Sequence, residues 1–204
     1  MSSFTPIAPD ALPGRLADWL AAAPGIVRVA VDGPPCADPD GLAAELLDPL
    51  RSRGRPVGQV RASSFWRDAS LRFEHGREDV DSYLTWLDAD ALRREVLDAA
   101  VSSAAYLPSL RDPATNRSTR AARVAVAPNL ALVVSGSLLL RHRLPFDRTV
   151  HLAVSPAARA RRTSPEQMWT LPAYEAYDAE VRPSECADVV IKLDDPRHPA
   201  ISWT

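Results

Sequence analysis

The stretch "RVAVDGPPCADPDGLAAELL", residues 28–47, decides the fold. It opens as a continuous apolar run rich in β-branched residues, the pattern of a strand buried on both faces, and that run stops at Asp32-Gly33. Apolar residues then recur at helical spacing at Leu42, Leu46, Leu47 and Leu50, with Gly54 as a stop. Between the two lies Asp38-Pro39-Asp40, suited to the N-cap and first two positions of a helix by side-chain capping, a preset φ and dipole complementarity. The stretch therefore reads as strand, turn, helix.

The same alternation continues outward. Strands are expected around Val57 to Ala62, in "NLALVVSG", in "TVHLAVS" and in "ADVVIKL", making five with the first. Helices are expected in "GRLADWLAAAPG", as a pair over 79–104 meeting near Asp88-Ala89-Asp90, and in "SPEQMWTLPAYEAYDAEV" with a break at Pro172. Residues 108–123 read as a loop. Buried strands alternating with helices imply an α/β fold with a mostly parallel, five-stranded sheet flanked by helices. Residues 1–25 read as an N-terminal extension with a short helix, and 26–204 as the main domain.

Hydrophobic residues are 46% of the 204, and 24 basic residues face 26 acidic ones, so no charge excess points to nucleic acid. Two cysteines are too few for a disulfide framework. With no secretory segment and no long apolar run, the expectation is a soluble, cytoplasmic protein without a membrane partner. Only one of the basic residues, Lys192, is a lysine.

The chain resembles the uridine kinase branch of the P-loop nucleoside kinases over roughly residues 26–195. The resemblance is carried in order by "RVAVDG", "SSFWRDASLRFEHGREDVDSYLTWLDADALRREVLD", "LALVVSGSLLL" and "LPAYEAYDAEVRPSECADVVIKLDD". It implies a three-layer P-loop NTPase-like fold with a lid-like segment near 156–165. The family's chemistry is transfer of the γ-phosphoryl group of ATP to a pyrimidine nucleoside. Backbone amides and a lysine hold the phosphates, a hydroxyl and an acid hold Mg²⁺, and an aspartate accepts the proton.

This sequence departs from that pattern at each working part. In G-x-x-x-x-G-K-[ST] only Gly33 matches; Cys36 lies within the loop, Asp38 takes the second glycine, Pro39 the lysine and Asp40 the hydroxyl. At ~4 Å and an effective dielectric of ~20, each carboxylate would repel a phosphate charge by about 4 kcal/mol, roughly a thousandfold in affinity. The family's Asp-Asp-Phe-His stretch is Ser63-Ser64-Phe65-Trp66, so Ser64 stands at the base position. The acid closing the third core strand is Ser135, and "Pro-Gly-Gln-Arg" becomes Pro172-Ala173-Tyr174-Glu175. Arg159, Arg161 and Arg162 keep the charge of the lid, while Lys192 lies too far along the chain to replace the lost lysine.

The expectation is thus a catalytically degenerate nucleoside kinase-like protein that keeps a small-molecule cleft, lined by Trp66, Tyr174 and the lid arginines, for a nucleoside-like ligand. No cofactor is expected. Two alternatives stand beside it: an active atypical kinase that holds Mg-ATP through the lid arginines, with Asp32, Asp38 and Asp40 on the metal, and an interaction subunit pairing with itself or another protein. Enzyme status stays open. Cys36 could be a reactive thiol at a helix start, but no histidine is near it in sequence. "FEHGRED" matches no specific metal-ligand spacing and reads as solvated surface. His142 and His151 read as ordinary packing or surface residues.

Overall fold

The computed structural model describes residues 3–204. Its strands are β1 (Thr5–Pro6), β2 (Val27–Asp32), β3 (Val57–Arg61), β4 (Ala105–Tyr106), β5 (Val124–Ala125), β6 (Ala131–Gly136), β7 (Arg148–Ala153), β8 (Val189–Lys192) and β9 (Ala200–Trp203). The main sheet has the order β1-β9-β8-β7-β2-β6-β3. All five expected strands form its parallel centre, β8-β7-β2-β6-β3. The sheet has seven strands rather than five, because β9 returns antiparallel to β8 and carries β1 on its outer edge. A separate antiparallel pair, β4–β5, lies outside it.

The period-two alternation of β2 sorts its side chains to two faces. Val27, Val29 and Val31 join one core with Val133, Val150, Leu152, Val189 and Ile191. This face is covered by α1 (Leu12–Ala21), α2 (Pro39–Glu45) and α3 (Leu47–Ser52), through Leu16, Leu20, Leu42, Leu46 and Leu50. The helix of the N-terminal segment is therefore packed into the main core. Ala30, Leu132 and Val134 face the other way, onto α6 (Ala89–Leu92), a π-helical segment (Arg93–Asp98) and α7 (Ala99–Ser102). Each fully buried leucine or valine contributes about 1.5–3 kcal/mol relative to exposure.

Three helical details correct or refine the sequence expectation for local reasons. The helix expected over 39–53 is two, since Pro49 has no amide to bond the Glu45 carbonyl. Of the pair expected over 79–104, the first is only α5 (Val80–Tyr83); the second, capped by Asp88, runs through α6 and the π segment into α7. The break expected at Pro172 takes the form of a change of helix type: a 3-10 segment (Pro165–Thr170) gives way to α9 (Leu171–Glu180), whose first turn holds Pro172, where its missing amide costs nothing. Two shorter helices, α4 (Ala69–Arg72) and α10 (Pro183–Cys186), and the helix α8 (Pro156–Arg162) complete the fold.

Candidate functional site

The loop after β2 sits where a parallel α/β sheet offers a ligand crevice, at the carboxyl ends of the strands. Gly33 survives there for packing: a Cβ on it would fall 2.7 Å from the Leu152 Cβ. The rest of the loop turns its polar groups on itself. Pro34, Pro35 and Pro39 have no amide hydrogen. The amides of Ala37 and Asp38 bond to the Pro34 and Pro35 carbonyls, and that of Gly33 to Gly136. Asp38 adopts left-handed backbone (φ 54°) and its carboxylate accepts the Gly41 N–H at 2.9 Å, so it is the N-cap of α2, as its position suggested. Asp38 packs so tightly on Gly41 that a Cβ there would lie 2.2 Å from its Oδ2.

Asp40 and Ser135 meet directly. The Ser135 hydroxyl donates to Asp40 Oδ1 at 2.5 Å, Arg61 Nε lies 3.6 Å from Asp40 Oδ2, and Gln59 donates to the Asp40 carbonyl. Relative to the kinase pattern, hydroxyl and carboxylate have exchanged places between α2 and β6, and they close on each other. Cys36 is half-buried, and burial pushes its thiol pKa up despite Arg162 and Arg159 nearby, so it is held as an unreactive thiol.

Beside this loop opens a cavity of about 350 Å³ whose lining includes Asp38, Asp40, Ser63, Trp66, Tyr83, Trp86, His142 and Trp169. Its aromatic wall is a chain of edge-to-face contacts: Trp66–Trp86 at 5.2 Å, Tyr83–Trp86 at 5.0 Å and Tyr83–Trp169 at 5.4 Å between ring centroids. Behind the wall the buried Arg72 guanidinium lies over Trp66 and Trp86. Burial lowers the His142 pKa, so its imidazole is neutral at pH 7. Ser63 lines this space; Ser64, at the family's base position, does not.

Two of the three arginines of α8, Arg159 and Arg162, are engaged internally. Arg159 is 3% exposed, pairs with Asp178 at 2.6 Å and lies over the Tyr174 ring. Arg162 donates to the carbonyls of Cys36 and Leu193, tying α8 to the loop it would otherwise leave open to phosphates. Arg161 is exposed.

A second cavity of about 390 Å³ lies beneath α8 and α9, lined among others by His151, Ser155, Arg159, Tyr174, Tyr177, Arg182 and Lys192. Trp66 and Tyr174 therefore belong to different cavities. Tyr174 forms part of the partition, its hydroxyl 2.8 Å from that of Tyr83. Sequence reasoning missed the polar centre at this partition. Asp32 is fully buried and accepts hydrogen bonds from the Leu139 amide at 2.8 Å and the Tyr177 hydroxyl at 2.9 Å, with His151 Nδ1 at 2.7 Å. Burial, and then the Asp32 charge, push the Tyr177 phenol far above its ordinary range. The available signal was parity: Asp32 and His151 both follow core-facing valines in adjacent strands, and the parallel register sets them side by side.

These residues do not fit Mg-ATP. Pro39 stands where the phosphate-loop pattern has lysine, the amides of Gly33, Ala37, Asp38 and Gly41 are bonded internally, and Asp32 is engaged by Leu139, His151 and Tyr177. Among the described residues no group of three or more His, Cys, Asp or Glu is arranged to hold a metal ion.

No family model matches the chain, and no curated protein matches it in sequence. Solved structures do match in fold. A possible uridine kinase from Bacillus stearothermophilus aligns at TM-score 0.72 and 20% identity, covering 87% of this chain and 96% of that one. The YGR205w protein aligns at 0.64 and 9%, covering 97% and 99%. A protein assigned as a fructose transport system kinase from Silicibacter sp. TM1040 aligns at 0.53 and 21%, covering 89% and 95%. The fold of this chain is that of the uridine kinase-like P-loop kinases.

Proposed function

We propose that the chain is a catalytically degenerate relative of the uridine kinases that binds a small molecule in the cavity beside the loop and does not transfer phosphate from ATP. The observation that carries this reading is the Asp38 carboxylate on the Gly41 amide: the anion position at the start of α2 is filled from within. Ser135 on Asp40, and Arg162 on the Cys36 carbonyl, support it by engaging that hydroxyl, that carboxylate and one of the three arginines of α8 internally. A cavity of about 350 Å³ is within the range of small-molecule sites, roughly 300–1,000 Å³.

Isothermal titration calorimetry with Mg-ATP, paired with a phosphoryl-transfer assay on uridine and cytidine, tests it. The expected result is no saturable heat and no product. Micromolar binding with turnover would overturn the reading. The triple substitution Asp38→Gly, Pro39→Lys, Asp40→Ser restores the phosphate-loop pattern and should raise Mg-ATP affinity at least about tenfold, roughly 1.4 kcal/mol. It should not restore turnover, since Ser64 and Ser135 remain.

A further inference from the structure

Taking the cavity beside the loop as the ligand site, we infer that its ligand is a cation: an amine or quaternary ammonium carried on an aromatic or apolar body. The lining supplies two carboxylates, Asp38 and Asp40, and neither lysine nor arginine. The histidine in it is held neutral by burial, and the rest of its polar lining is hydroxyl and amide, from Ser63, Ser137, Gln167 and Thr170. The same lining holds the rings of Trp66, Tyr83, Trp86 and Trp169, and π faces attract cations most strongly when water is excluded.

The same wall already stabilises a cation. Arg72 is 5% exposed, its guanidinium lies 4.8–5.2 Å from the centroids of Trp66, Phe73 and Trp86, and its Nε is bonded to the Arg67 carbonyl. Among the described residues Arg61 is the one cation paired with a lining carboxylate. Its side chain is 62% exposed and 3.6 Å from Asp40, so solvent screens it far more than a ligand inside the cavity would be screened. An anionic nucleotide would meet the reverse arrangement.

The test uses three ring probes that differ in charge: benzyltrimethylammonium, benzyl alcohol and benzoate. Each is titrated into the full chain while tryptophan fluorescence is followed. Trp66, Trp86 and Trp169 report on the cavity; Trp19 and Trp203 pack together by the other core and give a constant background. The cation should bind at least about tenfold tighter than the alcohol, and benzoate should not saturate. Asp38→Asn with Asp40→Asn should erase that preference and leave the alcohol unchanged, since asparagine caps a helix as well as aspartate. Equal affinity for cation and alcohol, no saturable response to the cation, or preference for benzoate would overturn the inference. If Mg-ATP still fails to bind in that case, the degenerate-kinase reading stands without it; Mg-ATP binding with turnover overturns both.

Discussion

The two cavities on either side of the Tyr83–Tyr174 contact divide between them the charges that a phosphate-transfer site needs in one place. The cavity beside the loop has the carboxylates Asp38 and Asp40 and an aromatic wall. The one beneath α8 and α9 has Arg159, Arg182 and Lys192, together with Asp178, Glu185 and Asp194. Neither gathers unpaired cations as a phosphate site does. The first lacks cations. In the second, Arg159 is bound to Asp178 and Arg182 stands 3.6 Å from Glu185, while Lys192 lies over the Phe4 ring. The contrast teaches that counting basic residues near a cleft says little about anion binding until their partners are known. A guanidinium paired with an internal carboxylate has its charge already compensated and its geometry set by that partner.

The partition between the cavities can be broken with alkali, and this should be the largest effect. Burial raises the pKa of Tyr174 and Tyr177 at the partition, and of Tyr106 in the core on the other face of the sheet, each no more than 3% exposed. A phenol whose folded pKa lies above its unfolded value of about 10 stabilises the protein below that pH, and the stability is lost as pH rises above it. With three such groups, stability should fall by about 4 kcal/mol per pH unit above pH ~10. Absorbance at 295 nm should show these phenols ionising together with loss of circular dichroism. Ionisation in a chain that stays folded would show that the partition is open to solvent.

Removing Asp32 attacks the same partition from below. Asp32→Ala leaves the Tyr177 hydroxyl, the Leu139 amide and His151 Nδ1 buried without their acceptor, at about 1–3 kcal/mol for each unsatisfied group. Urea denaturation should report a loss of about 3 kcal/mol or more. A loss below about 1 kcal/mol would mean that these groups find other partners.

The smallest effect sharpens the comparison on the loop side. Asp38→Ala removes the N-cap of α2 and should cost about 1 kcal/mol, whereas Asp38→Asn should be close to neutral. Thermal denaturation of the two variants separates capping from charge. Equal destabilisation by both would show that Asp38 acts through its charge.

Much of the fold was legible because the relevant signals are local. Each parallel strand is a short apolar run bounded by turn residues, and Asp38-Pro39-Asp40 has the chemistry of a helix start wherever it occurs. The edge pair β1–β9 was not legible. Thr5–Pro6 is exposed and two residues long, and it becomes a strand only because the chain end returns beside it. Trp66 and Tyr174 could be named as cleft residues, but the partition that separates their cavities depends on Tyr83 meeting Tyr174 across 91 residues.

The strand and helix pattern and the capped helix start at Asp38-Pro39-Asp40 were set by the sequence alone, since each depends on neighbours a few positions apart. Only the tertiary structure decided that Asp32 meets His151 and Tyr177, that Asp40 closes on Ser135, and that Arg159 and Arg162 turn inward. Those partners are 19 to 145 residues apart. Strand register and helix packing bring them together, and burial then makes each polar group take whatever partner lies within reach.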